Sequence, residues 1–286
     1  MTASPVPVPV LHTASPSEER TLLSLKGVSK RFGGVRALEN VSFDVQQGTL
    51  LGIIGPNGSG KSTLLSLIAG AQRPSSGQIV CNGRRLDRMR SHAIARLGIG
   101  RAHQIPRPFG GMTVRQNLLV AAHSIAGHRA QRDDLIRQVL ERCDLLDKSE
   151  RLAGSLGLLD LKRLEVARAL CLRPRLLLLD EVAAGLVGHE VQEVTQLIAS
   201  AHEQGVTILL VEHVQALIQA LATRVMSWTR AARSPRARPR RSPGTPGSLP
   251  CTWEPRRVRR RLPPVPRFRA LPHRTAPVEP CSGSTM

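Results

Sequence analysis

Residues 55–63 read G-P-N-G-S-G-K-S-T: a glycine, four residues, then Gly-Lys-Ser. That spacing suits the capture of phosphate. Successive backbone N–H groups curl around phosphate oxygens, and a following helix adds positive partial charge at its N-terminus. In such a loop Gly55, Pro56, Asn57, Gly58, Ser59 and Gly60 form the cradle. Lys61 reaches the β- and γ-phosphates, the Ser62 hydroxyl ligates Mg²⁺, and Thr63 completes the motif. A second signal stands at Leu176-Leu177-Leu178-Leu179-Asp180-Glu181. Asp180 sits where it can hold Mg²⁺, directly or through water, and Glu181 where it can orient a water against the γ-phosphate. Two acids after a strand are, alone, often a solvated turn; the phosphate loop upstream is what gives them chemistry.

Positioning these groups requires a sheet. Residues 49–54 form a short apolar run, expected as a buried strand, and 61–71 follow with Leu64, Leu65 and Ile68 at helical spacing. Strands are expected at 21–28 and 41–45, separated by a turn at Gly33-Gly34, and at 77–81, closed by Asn82-Gly83. Antiparallel pieces thus flank the nucleotide loop. Thr113-x-x-Gln116 is a capping box before Leu118, Leu119 and Ala122. With amphipathic stretches at 133–146 and 158–171, it implies a helical insertion at about 106–163. Strands at 175–179 and 206–211 then alternate with helices at 189–202 and 214–223, the pattern of a parallel sheet covered on both faces. The expected class is α/β, a P-loop NTPase core with an antiparallel β subdomain and a helical subdomain.

A chain of 286 residues makes one large domain or two small ones. No run of about 18 uncharged apolar residues is present to span a membrane. No basic region followed by an apolar run opens the chain, and Pro5, Pro7 and Pro9 would break one, so no secretory signal is expected. Cys81, Cys143, Cys171, Cys251 and Cys281 are odd in number and lack metal-type spacing, which reads as free thiols in a reducing compartment. Residues 1–20, rich in Pro, Ser and Ala, are expected to be disordered. The net charge of +20 is uneven: residues 227–286 hold 14 Arg, no Lys and two Glu, together with 12 of the 21 Pro and both Trp.

The order of motifs resembles the ATPase subunit of an ABC transporter, over about residues 22–226. The resemblance implies further roles. Phe32, in K-R-F-G-G, matches the aromatic that stacks on adenine; a strand-end packing Phe is the alternative. Gln104, after Arg101-Ala-His, matches the glutamine that senses Mg²⁺ and the γ-phosphate. His213, in V-E-H, matches the switch histidine. The segments I-P-R-P-F-G-G-M-T-V-R-Q-N-L-L-V-A (105–121), K-R-L-E-V-A-R-A-L (162–170) and A-A-G-L (183–186) are similar to the branched-chain amino acid type.

Several positions depart from the family pattern. The signature turn, usually Leu-Ser-Gly-Gly-Gln, is Leu156-Gly157-Leu158-Leu159-Asp160, and a Cβ at Leu159 is expected to crowd a phosphate. Val182 stands for the usual Pro, Val187 for an Asp or Asn at the dimer interface, and Val214 for an acid. After Met226 the resemblance stops. Back-translated from the third base of codon 227, residues 227–255 can spell L-D-P-G-R-A-V-A-E-G-T-P-A-E-V-T-R-D-P-R-V-I-A-V-Y-L-G-T, the family's missing ending. A one-base deletion near codon 227 is therefore expected, leaving 227–286 out of frame and disordered and the last core strand without most of its residues. A genuine basic tail for nucleic acid or anionic lipid is the rival.

The resemblance thus implies an ATP- and Mg²⁺-dependent ATPase energising an importer, peripheral at the cytoplasmic face of the cell membrane. Its implied partners are transmembrane permease subunits, a second ATPase subunit and, indirectly, a solute-binding protein. Nucleic acid is not an expected partner of the folded part. The alternatives are a module that holds ATP without hydrolysing it, and a nucleic-acid or anionic-surface binder acting through the Arg-rich tail.

Overall fold

The computed structural model describes residues 20–125 and 128–228, and the backbone of Arg256–Arg257. The expected disorder of 1–20 falls, but for Arg20, outside the described residues, as do the tail from 229 apart from that pair, Cys251 and Cys281.

The chain opens as a hairpin, β1 (Thr21–Phe32) and β2 (Val35–Gln46). Both strands run on to the Gly33-Gly34 turn, past the 21–28 and 41–45 segments expected. Register shifts along β1 obscure the alternation that would have marked their full length. Next come β3 (Leu50–Ile54), α1 (Lys61–Ile68), β4 (Ser76–Cys81) and β5 (Arg84–Arg85). They are followed by α2 (Ser91–Arg96), β6 (Ile99–Ala102), α3 (Val114–Ala122), α4 (Arg129–Arg142) and α5 (Leu158–Leu170). The last are β7 (Leu176–Asp180), α6 (Gly188–Glu203), β8 (Thr207–Val211), α7 (Gln215–Leu221), β9 (Arg224–Ser227) and β10 (Arg256–Arg257).

Among the described residues two sheets form. One is antiparallel, in the order β2-β1-β4-β5. The other runs β10-β9-β3-β8-β7-β6, parallel except for β10 at its edge. β3, β7 and β8 lie in its middle, and β7 and β8 are buried at every position. This is why they read as unbroken apolar runs rather than alternating ones. One face packs on the helices and contributes Leu177, Leu179, Ile208 and Leu210 to that core. The other packs on α1 and the antiparallel sheet through Leu176, Leu178, Leu209 and Val211.

The expected loss of the last strand is corrected. β9 pairs with β3 at four successive residues, Leu51 with Arg224 through Ile54 with Ser227. Parallel pairing needs only backbone groups, and Met226 and Trp228 supply the apolar anchor by burying against the α1 side.

Thr113 caps α3 as its sequence implies: its hydroxyl accepts from Gln116 N–H, and the Gln116 side chain accepts from Thr113 N–H. Asn117, fully buried one turn on, was not singled out by sequence. Its Oδ1 accepts from Phe109 N–H at 2.8 Å, and its Nδ2 donates to the carbonyls of Phe109 at 3.1 Å and Thr113 at 3.0 Å. The side chain thus ties the 109–113 loop to α3. Asn117→Leu leaves the Phe109 N–H unpaired and takes a second donor from the Phe109 and Thr113 carbonyls, which keep Met112 N–H and Asn117 N–H, and the expected cost is about 1–3 kcal/mol. A urea midpoint unchanged from the parent chain would contradict that account.

Candidate functional site

The phosphate loop links β3 to α1. Gly60 has φ +100° and precedes the helix, and a Cβ there would lie 2.5 Å from the Ala37 carbonyl oxygen, so only glycine fits. Lys61 is buried, and its ammonium donates to the carbonyls of Gly55 at 2.7 Å and Pro56 at 2.8 Å. Ser59 is also buried, and its Oγ has no protein partner. Asn57, Gly58, Ser62 and Thr63 face a cleft of about 360 Å³ that Gln104 and Glu181 close on the far side.

Asp180 ends β7 and is 3% exposed. Its Oδ1 accepts from Ser62 Oγ at 2.9 Å, and its Oδ2 from the Arg101 guanidinium at 2.9 Å. Arg101 also donates to Ser66 Oγ at 2.9 Å. A hydroxyl and a carboxylate oxygen therefore converge at the mouth of the loop. Such hard oxygen donors suit Mg²⁺, which is usually bound by one or two carboxylates plus substrate phosphates and waters. No cluster of three or more His, Cys, Asp or Glu fit to hold a metal occurs among the described residues.

Glu181 follows at φ +48°, a left-handed conformation that a non-glycine residue adopts at a cost. Its N–H donates to Val211 O, which turns the side chain out of the sheet. Gln104 Nε2 donates to Glu181 Oε2, and His213 Nε2 lies 2.8 Å from the same oxygen. The three residues come from the ends of β6, β7 and β8, and meet at one carboxylate beside the loop. Phe32 stands next to this cleft without lining it: it ends β1, is 43% exposed, and carries the Lys30 ammonium 4.9 Å from its ring centroid. Its register partner Val35, with Arg36 and Ala37, lines the cleft instead.

Two cations were not singled out by sequence. Arg101 is the first, hidden in a four-residue strand that the apolar pattern did not reveal. Lys162 is the second. It sits on α5, is buried, and donates to the carbonyls of Gln104 at 2.5 Å and Glu181 at 3.4 Å. Burial pulls its pKa down, against the carboxylates of Glu212, Glu181 and Glu165. On the same helix Glu165 meets His103 Nδ1 at 2.9 Å and Arg168 at 3.1 Å. Burial raises the Glu165 pKa, but these partners outweigh it and the carboxyl ends below its usual range. The signal available in sequence was a Lys and a Glu three apart on an otherwise apolar helix face.

The signature stretch opens α5, with Gly157 just before the helix. Leu159, expected to crowd a phosphate, is partly buried against the helical core; Leu158 is the exposed residue, at 44%. Asp160 is held by Lys148 at 3.0 Å and Arg163 at 3.4 Å. Val187 is 66% exposed ahead of α6, whereas Val182 is buried.

Comparison with known proteins agrees with this architecture. Residues 38–184 match the sequence family described as ABC transporter. The high-affinity branched-chain amino acid transport ATP-binding protein LivG of Salmonella typhimurium is 38% identical over 220 residues, 71% of this chain and 86% of that protein. The corresponding protein BraF of Pseudomonas aeruginosa is 35% identical over 223 residues, 72% of this chain and 88% of that one. The ADP conformation of MJ1267, an ATP-binding cassette of an ABC transporter, superposes with a TM-score of 0.64 at 27% identity, over 73% of this chain and 87% of that one. With its phosphate loop, its two sheets and relatives matched over most of their length, this chain belongs to the ABC transporter family, as one of its ATP-binding ATPase subunits.

Proposed function

We propose that the chain energises import of branched-chain amino acids or related small solutes, by binding and hydrolysing ATP with Mg²⁺ at the cytoplasmic face of a membrane. The observation that supports it is one cleft lined by Lys61, Ser62, Gln104 and Glu181, with Asp180 bonded to Ser62 and His213 to Glu181. The names of LivG and BraF support the solute class. The ATPase domain spans 21–226, with a helical insertion at 106–163. Transmembrane permease subunits supply the path; no helix among the described residues is long and apolar enough to cross a membrane. A solute-binding protein acts only through those subunits. Two ATPase subunits close head to tail on ATP, each phosphate loop facing the other's signature turn.

In this reading the loop amides from Gly55 to Thr63 and Lys61 hold the phosphates. Ser62, Asp180 and Gln104 would hold Mg²⁺, which would supply positive charge against the nucleotide phosphates. Glu181 polarises the attacking water and His213 steadies the γ-phosphate, while Phe32 offers its ring to adenine. A chain that holds ATP without turning it over is the second reading, favoured by exposed Leu158 and Val187 at the turns that would meet a partner. The one-base deletion near codon 227 also stands as a proposal, and the genomic DNA across codons 220–260 tests it: a shifted frame spelling Y-L-G supports it, and nonsense there makes the basic tail genuine.

Lys61→Ala should weaken binding of labelled ATP about 10- to 100-fold, the worth of a charge-assisted hydrogen bond. Unchanged affinity would remove Lys61 from the site. Glu181→Gln should bind ATP within a few-fold of the parent but release phosphate about 10²–10⁴ times more slowly. Full turnover in that variant, assayed with permease partners, would take Glu181 out of its role. Lys162→Met removes the ammonium from the Gln104 carbonyl and from the Glu181 carbonyl, which keeps Ala184 N–H. Turnover should fall about tenfold with ATP affinity nearly constant, and a loss confined to affinity would refute the clamp.

A further inference from the structure

The residue that closes the last core strand is not one the nucleotide motifs include. Trp228 follows β9 and is 4% exposed. It meets the phosphate loop at three points. Its backbone N–H donates to Ile54 O at 2.6 Å, where β3 runs into the loop. Its own carbonyl oxygen lies 2.1 Å from where a Cβ on Gly55 would stand. Its indole Nε1–H donates to Ser59 O at 2.9 Å in a buried bond.

The last contact has a geometric consequence. A peptide unit is planar and, in this chain as described, trans, so the Ser59 carbonyl and the Gly60 N–H point in opposite directions from one rigid plate. An indole that holds the carbonyl fixes where that N–H points. Gly60, at φ +100°, has no side chain to restrict its own rotation, so the orientation must be imposed from outside. Within the loop the Ser59–Gly60 plate lies next to Lys61, whose ammonium rests on the carbonyls of Gly55 and Pro56. Ile54 is held by the Trp228 N–H, the Trp228 carbonyl packs against Gly55, and Ser59 is held by the Trp228 ring, so one residue spans the loop from its entry to its last turn.

We propose that Trp228 is a positioning residue of the phosphate loop: by clasping the Ser59 carbonyl it presets the Gly60 N–H for a nucleotide phosphate. The proposal rests on the reading of the loop as an ATP site. It also runs against the sequence expectation for 227–286, since a residue on the far side of the composition break is seated under the loop. Its action depends on the indole as it stands in this chain, however its codon arose.

Trp228 and Trp253 are the only tryptophans and the chain has no tyrosine, so Trp253→Phe leaves Trp228 as the sole strong emitter. In that full-length background, ATP should change the Trp228 emission, whereas an indole that only packs should not respond. Trp228→Phe keeps the ring and removes the donor. It should bind ATP about 3- to 10-fold more weakly, the range of one lost neutral hydrogen bond, with a melting temperature close to the parent's. Trp228→Ala should lose both affinity and stability. In the ligand-free protein, the ¹⁵N–¹H resonances of Gly60 and Lys61 should move in Trp228→Phe while those of α6 stay fixed. Unchanged ATP affinity in a folded Trp228→Phe, with unmoved loop resonances, would overturn the proposal. Failure of the parent chain itself to bind ATP would remove the reading of the site, and the resonance comparison would still decide whether Trp228 sets the loop.

Discussion

A carboxylate buried at the end of an apolar strand has to be satisfied by other elements, and Asp180 draws two of them together. Its strand leaves it almost no water. One oxygen takes the Ser62 hydroxyl from α1 and the other the Arg101 guanidinium from β6. Arg101 then reaches back to Ser66 on α1. Buried charges are tolerated only when paired and hydrogen-bonded, so this knot fixes the start of α1 against the C-terminal ends of β6 and β7. The phosphate loop is the segment that leads into that helix. The same constraint that makes Asp180 tolerable therefore sets where the loop can stand.

A second tie sits behind the first. Lys162 places a buried ammonium on the backbone carbonyls of Gln104 and Glu181, two residues whose side chains meet in front of it. Its burial lowers the ammonium's pKa, and three carboxylates nearby oppose that only in part. Because Lys162 belongs to α5, the helix that begins at the signature stretch, a displacement of that helix is felt at the Glu181 backbone. Glu181 already holds a left-handed conformation there. Strain of this kind persists only where the surroundings over-determine it, and the Val211 carbonyl in front and Lys162 behind do so.

Much of the sheet and the loop could be read in advance because burial on both faces imposes a run of apolar residues. β3, β7 and β8 satisfy that condition, and so they stood out. β6 did not: it is four residues long, contains Gly100 and Arg101, and lies at the sheet edge, so neither length nor pattern marked it. The carboxylate ends of β7 and the glycine spacing of the loop were legible because each has few alternatives. Arg101, Lys162 and Asn117 were not, since a single polar residue in an apolar context carries no signal until the fold shows what it faces. The full lengths of β1 and β2 were hidden by register shifts. β9 was expected to lose most of its residues because the family resemblance ends after Met226, yet three of its four residues precede that point, and the strand needs only four backbone pairs and a few apolar contacts.

Asp180 also divides its two oxygens in a way that bears on the chemistry. Arg101 and Oδ2 form a charged pair, both well buried, and breaking it would strand a charge. Ser62 and Oδ1 share a single neutral-donor hydrogen bond at the cleft. A hydroxyl can turn its proton away at little cost, and its oxygen could then serve beside the carboxylate as a second acceptor. The oxygen that meets Ser62 is thus the one that can change partners, and the oxygen that meets Arg101 on β6 is the one that cannot. Little reorganisation is then required of the protein when charge arrives at the loop, which is the condition under which fixed groups stabilise developing charge best. The knot that positions the helix and the oxygen that would meet a cation are two halves of one carboxylate. A change at Arg101 would accordingly disturb the loop's placement and the cation-facing donors together.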